Sequence, residues 1–176
     1  MDNGQNIKHT ISALVDNEPG VLSRVTGLFS GRGFNIESLC VAETMDPQVS
    51  RITLVTRGSE QIIEQITKQL NKLINIIKVI DFTNTEFVER EMALIKVRAE
   101  ASTRAEILRI VDIFRCKIVD VSLQDYTIEV TGNEGKITAL LALLSHLGIK
   151  EIARTGAIAL GRSKKEGTLK REAAKE

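Results

Sequence analysis

Aromatic residues are scarce in this chain. It has no tryptophan, one tyrosine and five phenylalanines, 3% of its 176 residues. Proteins that grip single-stranded nucleic acid stack bases on aromatic platforms, and this composition counts against that mode. Charge of one sign is also lacking: the formal net charge is +1. No long-range field favours a phosphate backbone or an anionic membrane. The two cysteines, Cys40 and Cys116, form no C-x-x-C pair and sit in apolar stretches. They read as buried free thiols in a reducing compartment. No apolar run is long enough to span a bilayer, and Met1–Asn6 lacks the features of a signal peptide. The expectation is a cytoplasmic protein with no nucleic-acid or membrane partner, an already removed transit peptide being left open.

What is present is a regular alternation of two hydrophobic periods. Ile7, His9, Ile11, Ala13 and Val15 alternate with Lys8, Thr10 and Ser12, the pattern of a half-buried strand. After a turn at Asp16–Gly20, Val21, Leu22, Val25, Leu28 and Phe29 fall at helical spacing. Gly31 and Gly33 end that helix. Phe34–Ala42 and Val49–Arg57 read as strands of a hairpin. Ser59 starts a helix carrying Ile62, Ile63, Ile66 and Leu70, and Leu73–Phe82 is a fourth strand. The order is βαββαβ, a ferredoxin-like unit.

The order then repeats. Met92–Ala99 is a strand, and Ser102 starts a helix with Ile107, Ile110, Val111 and Phe114 inward. Lys117–Leu123 and Tyr126–Thr131 form a hairpin, Gly135–Leu147 is a helix, and Ile149–Leu160 is a final extended segment. A shift of 85 positions places Leu22 on Ile107, Val25 on Ile110, Phe29 on Phe114 and Ile36 on Val121. The expected fold class is α+β, two ferredoxin-like βαββαβ domains in tandem, with residues 1–83 and 84–160 as the units. Residues 161–176 are a polar tail of mixed charge, expected to be mobile, with a partner-binding role left open.

The chemistry of an active site is hard to find. His9 and His146 fall in different units without a ligand-spaced neighbour, and His9 reads as a core or interface residue. No G-x-S-x-G, H-E-x-x-H or Walker A loop occurs. Gly31-x-Gly33 follows a helix and precedes a strand, the reverse of a dinucleotide loop. Asp112, Asp120 and Asp125 read as turn and surface residues, and Arg104, Arg109 and Arg115 as a solvated helix face.

One feature stands out, the turn Asn17-x-x-Gly20 before the first helix. A helix start offers unpaired N–H groups and partial positive charge to a carboxylate. Gly20 allows close backbone approach, and Asn17 can both donate and accept. Pro19 gives up only a donor that is spare there. The same residues also make an ordinary turn and cap, and the residues alone leave both readings open.

The run Asn17-Glu18-Pro19-Gly20-Val21-Leu22-Ser23-Arg24-Val25 resembles an ACT domain, the amino-acid-binding regulatory module. Gly27-Leu28-Phe29-Ser30-x-Arg32-Gly33-Phe34-Asn35-Ile36-Glu37-Ser38-Leu39 resembles the acetohydroxyacid (acetolactate) synthase regulatory small subunits in particular, as does Val88-Glu89-Arg90-Glu91-x-x-Leu94-Ile95-Lys96-Val97. The resemblance spans Lys8 to Leu160. It implies a non-catalytic regulatory subunit that binds and activates a catalytic large subunit and confers feedback inhibition by valine, leucine or isoleucine. It implies no cofactor in this chain, with thiamine diphosphate, Mg and FAD held by the catalytic subunit, and no metal site here. It also implies a homodimer whose ACT sheets join side by side, with the effector at the seam. The effector residues carried over are Asn17, Gly20, Val21 and Leu22 of one protomer and Asn35 and Ile36 of its partner. Cys40 and Ala42 are implied as residues of the pocket floor.

The second half departs from the motif. By the repeat shift Ser102-Thr103-Arg104-Ala105 stands where Asn-x-x-Gly would fall, so no equivalent effector site is expected there. A sensor of another pathway, a small ferredoxin-like enzyme and a transcriptional regulator are the rival readings. The Val88–Val97 run, the missing acid–base pair and the missing helix-turn-helix segment count against them in turn.

Overall fold

The computed structural model describes residues 7–163; the Met1–Asn6 start and the tail from Lys164 lie outside the described residues. The first unit is β1 (Ile7–Asp16), α1 (Val21–Ser30), β2 (Ile36–Glu43), β3 (Val49–Gly58), α2 (Glu60–Leu70) and β4 (Ile76–Asp81). Its antiparallel sheet has the order β2-β3-β1-β4. Odd-numbered residues of β1 meet even-numbered residues of β3, Ile11 opposite Leu54 and Ala13 opposite Ile52. Both pairs face the helices, where they pack with Val25, Phe29, Ile63, Ile66 and Leu70.

The second unit is β5 (Phe87–Arg98), α3 (Arg104–Ile113), β6 (Lys117–Val121), β7 (Asp125–Gly132), α4 (Glu134–Leu144), β8 (Ile149–Arg154) and β9 (Ile158–Gly161). Four of its strands take the matching order β6-β7-β5-β8. Ala93, Ile95 and Val97 pack with Ile107, Ile128, Ile137 and Leu140 in a separate core. The α+β, tandem ferredoxin-like expectation therefore holds. The Asn133 side chain caps α4, accepting from Lys136 N at 3.0 Å. Asn133→Ala should cost about 1 kcal/mol, read from the urea midpoint at unchanged slope.

Three details differ from the sequence reading. The repeat shift is 82, not 85. β1 carries an irregularity on β4 between Leu14 and Val15, and β5 carries one on β8 between Lys96 and Val97. β2 and β6 each slip on their neighbour just after Ile36 and Ile118. The helix ends agree as well: Phe34 N donates to Phe29 O, and Cys116 N to Val111 O. The two shifts differ by three residues, close to one helical turn, so the apolar stripe matched in either register. Burial separates them, since Leu22 is 41% exposed and Ile107 0%.

The final extended segment is two strands, not one. Gly156 adopts φ +82 between β8 and β9, a conformation that other residues rarely hold. β9 then pairs with the first residues of β5, Phe87 opposite Gly161 and Arg90 opposite Ile158. Gly161 closes that strand, and Arg162 N donates to Glu86 O at 3.0 Å.

β1 is also not half-buried. Thr10 and Ser12, on the face away from the helices, are as buried as Ile11, as are Thr53 and Val55 beside them. The β5–β9 ribbon covers that face. Ala157 and Ala159 are buried against it while Ile158 and Leu160 point outward. Small side chains allow the close approach: Ala157 N donates to Ser38 Oγ at 3.0 Å, and Phe82 stacks on Phe87 with ring centroids 5.0 Å apart.

Candidate effector site

The loop from β1 to α1 is built by backbone and side-chain ties. Asn17 N donates to Gln48 O at 2.7 Å. The Asn17 amide donates to Pro47 O at 2.9 Å and to Glu43 Oε1 at 3.1 Å. These bonds fix the loop to the β2–β3 turn and engage the amide's donor side, so Oδ1 is the end that can serve a ligand. Behind the loop, Asn75 accepts from Arg24 and donates to Asp16 and Glu18.

Gly20 is the N-cap of α1 with φ +86. No atom lies within 4 Å of where its Cβ would stand, so the backbone conformation, rather than crowding, requires glycine. α1 has no side-chain cap and no acidic residue in its first turn. Val21 is buried and Leu22 exposed, so Leu22 is the one of the two that can touch a ligand with its side chain.

Asn35 and Ile36 lie elsewhere. Asn35 precedes β2 and is exposed, its carbonyl accepting from Thr56 Oγ1 at 2.7 Å. Asn17 sits by Glu43, at the opposite end of β2. At about 3.3 Å per residue the strand separates the two groups by roughly 23 Å. One chain does not bring the six residues together. β2 is, however, an edge strand with only β3 beside it. A two-fold axis through that edge would set two β2 strands antiparallel and bring each Asn17–Leu22 loop to its partner's Asn35–Ile36. Cys40 and Ala42 pair with Thr53 and Arg51 and so face away from the helices. They line the outer face rather than a floor beneath α1.

The corresponding place in the second unit is closed. The shift of 82 sets Ala99–Ser102 on Asn17–Gly20, with neither asparagine nor left-handed glycine. Arg104, on the position of Leu22, donates to Ala99 O at 3.1 Å and Leu123 O at 2.6 Å, across the mouth of the loop. His9, expected in the core or at an interface, is 1% exposed and bonds Thr83 Oγ1 and Gly58 O. Among the described residues no group of three or more His, Cys, Asp or Glu is placed to hold a metal ion.

A charged cleft of about 360 Å³, to which no sequence expectation points, lies between the units, walled by Leu39, Val55 and Ala157. Arg154 grips Glu91 there through two 2.7 Å bonds, and Lys8 reaches Glu134 at 2.6 Å and Glu89 at 3.9 Å. An isolated glycine at position 156 in a strand-like run was the available signal of such a close approach. The Lys8 ammonium holds the Glu134 carboxyl below its ordinary value of 4.5. A depressed carboxyl stabilises above its unfolded pKa and ceases to do so as pH falls through the folded one. Wild type should therefore exceed Glu134→Gln in urea stability at neutral pH, and the difference should shrink progressively as pH falls below the carboxyl's ordinary value of 4.5.

Two tandem ferredoxin-like units, the first with an open sheet edge beside a glycine-capped helix start, frame the candidate site. The matches to known proteins give the family. Residues 11–78 match the acetohydroxyacid synthase small subunit-like ACT domain, and residues 90–163 match the small subunit of acetolactate synthase. A probable acetolactate synthase small subunit of Archaeoglobus fulgidus is 52% identical over 160 residues, 91% of this chain and all of that one. The acetolactate synthase small subunit of Mycolicibacterium smegmatis is 52% identical over 88% of this chain and 91% of its own. The crystal structure of the Thermotoga maritima acetolactate synthase small subunit superposes with TM-score 0.82 at 44% identity, covering 90% of this chain and 99% of that one. The chain belongs to the acetolactate synthase small-subunit family of regulatory, non-catalytic subunits, whose name implies a catalytic large subunit as partner. Among the described residues no helix is long and apolar enough to cross a membrane.

Proposed function

We propose that two copies of this chain pair through their β2 edges and bind valine, or leucine or isoleucine, at the two seams. Residues 1–83 sense the effector, and residues 84–160 relay its occupancy. The assembly raises the activity of a catalytic subunit that holds thiamine diphosphate, Mg and FAD, and bound effector lowers it again. The observation that carries this reading is the split of the candidate residues between the two ends of an open edge strand.

The ligand carboxylate would meet the uncapped N–H groups at the start of α1, and its ammonium the Asn17 Oδ1. The branched side chain would lie between Leu22 and the partner's Ile36. Regulation requires unequal binding to two conformations, with coupling of about 1–3 kcal/mol.

A thermal-shift titration tests the assignment. Valine, leucine or isoleucine should raise the melting temperature saturably, by the equivalent of about 2.7 kcal/mol at a hundredfold excess over Kd, while serine and lysine should not. If the branched-chain amino acids leave it unmoved with the catalytic subunit present as well, the effector assignment is wrong.

A further inference from the structure

Ser38 is two residues beyond Ile36 on β2, on the face turned toward the second unit. Between them Glu37 interrupts the register of β2 with β3. Such an interruption leaves the ladder locally unpaired and bends the strand, so a ligand set against Ile36 would act where β2 is less firmly tied to β3. Ser38 Oγ accepts the Ala157 N–H at 3.0 Å. Gly156 lies so close that an added Cβ would stand 2.7 Å from Ser38 Oγ and 3.3 Å from Leu39 O. There is no slack between β2 and this turn.

The far side of the turn is tied to β5. Thr155 N donates to Met92 O at 3.0 Å, and Met92 N donates to Thr155 Oγ1 at 3.1 Å. The neighbouring Arg154 holds Glu91. Here β5 changes partner, pairing with β9 up to Arg90 and with β8 from Ala93. A displacement of Ser38 therefore reaches the central strand of the second sheet through three consecutive residues, Thr155, Gly156 and Ala157.

We propose that the Ser38 contact with the Thr155–Ala157 turn is the link through which effector occupancy at β2 is passed to the second unit. This rests on the effector reading above. Ser38 acts as a positioning residue and makes no contact with the ligand.

The test uses the full complex with its catalytic subunit and, in parallel, calorimetric binding of valine to the regulatory chain. Ser38→Ala removes the acceptor and leaves the space. It should bind valine within about twofold of wild type and activate normally, while the valine concentration for half-inhibition rises about three- to tenfold, the scale of one lost hydrogen bond. Gly156→Ala, which forces the turn away from β2, should uncouple further, and Ser38→Thr, which keeps the hydroxyl, should stay closer to wild type than Ser38→Ala. Wild-type inhibition in both Ser38→Ala and Gly156→Ala overturns the link, as does a loss of valine binding in step with inhibition in Ser38→Ala. If the wild-type chain binds no branched-chain amino acid, the effector reading fails and the link with it. If wild type binds and the variants inhibit unchanged, the link alone fails.

Discussion

Gly20→Asp should abolish valine inhibition and leave activation of the catalytic subunit in place. Gly20 holds φ +86 with nothing in the space its side chain would take. Aspartate is among the few residues that tolerate this left-handed conformation, so α1 still forms, at a cost of about 1 kcal/mol. Its carboxylate, however, would stand where the proposed effector's carboxylate is placed. A like-charge clash of that kind costs several kcal/mol, a loss in valine affinity of about 100-fold or more. Gly20→Asn is the control, since it has the same shape and backbone tolerance without the charge. It should keep part of the inhibition. The measurement is a valine titration of the reconstituted complex, with activation read at zero valine. Equal loss of activation and inhibition in Gly20→Asp would mean that the two functions share one structural basis and that the model is wrong.

Arg154→Ala should be the most damaging single change to the fold of the cleft. The Glu91 side chain is 6% exposed, and Arg154 meets it through Nε and Nη2 at 2.7 Å each. Removing the arginine leaves a buried carboxylate without a counter-charge. A fully buried pair broken on one side costs about 3–5 kcal/mol. The Arg154 side chain is 43% exposed, so water offsets part of this, and about 2–3 kcal/mol is expected. At roughly 2–4 °C per kcal/mol for a chain of this length, the melting temperature should fall by about 4–12 °C. Glu91→Gln with Arg154→Ala should cost less than Arg154→Ala alone, because the unpaired charge is gone. A double variant as unstable as the sum of the two singles would show that the pair contributes by packing and not by charge.

Most of the fold was legible because each helix and strand carries its own period. The stripe Val25, Leu28, Phe29 and the alternation around Ile95 are local facts, and local facts survive without a structure. The register of the internal repeat was not local. An error of three residues keeps a helical stripe nearly intact, and only burial and strand irregularities reveal it. The covered face of β1 was also hidden, because Thr10 and Ser12 look like solvent-facing residues until a ribbon 75 or more residues further along the chain is laid over them. Asn17 and Gly20 could be singled out from the loop chemistry. Their distance from Asn35 could not, since it depends on which end of β2 each approaches.

The ribbon that covers the first sheet has a consequence for how the molecule is made. Its outer strand, β9, is the last of the described strands in chain order. On the ribosome the first unit can therefore assemble around its own helices long before its second face is closed. For that interval the open face presents Thr10, Ser12 and Thr53 interspersed with Leu14, Val55 and Ile80, in place of a continuous aliphatic surface. Such a face is far less prone to associate with other nascent chains than the leucine and isoleucine layer on its other side. The final fastening, Ala157 N onto Ser38 Oγ, joins residues 119 positions apart. Contacts of that sequence separation form late, so this fastening follows the assembly of the first unit around its own helices.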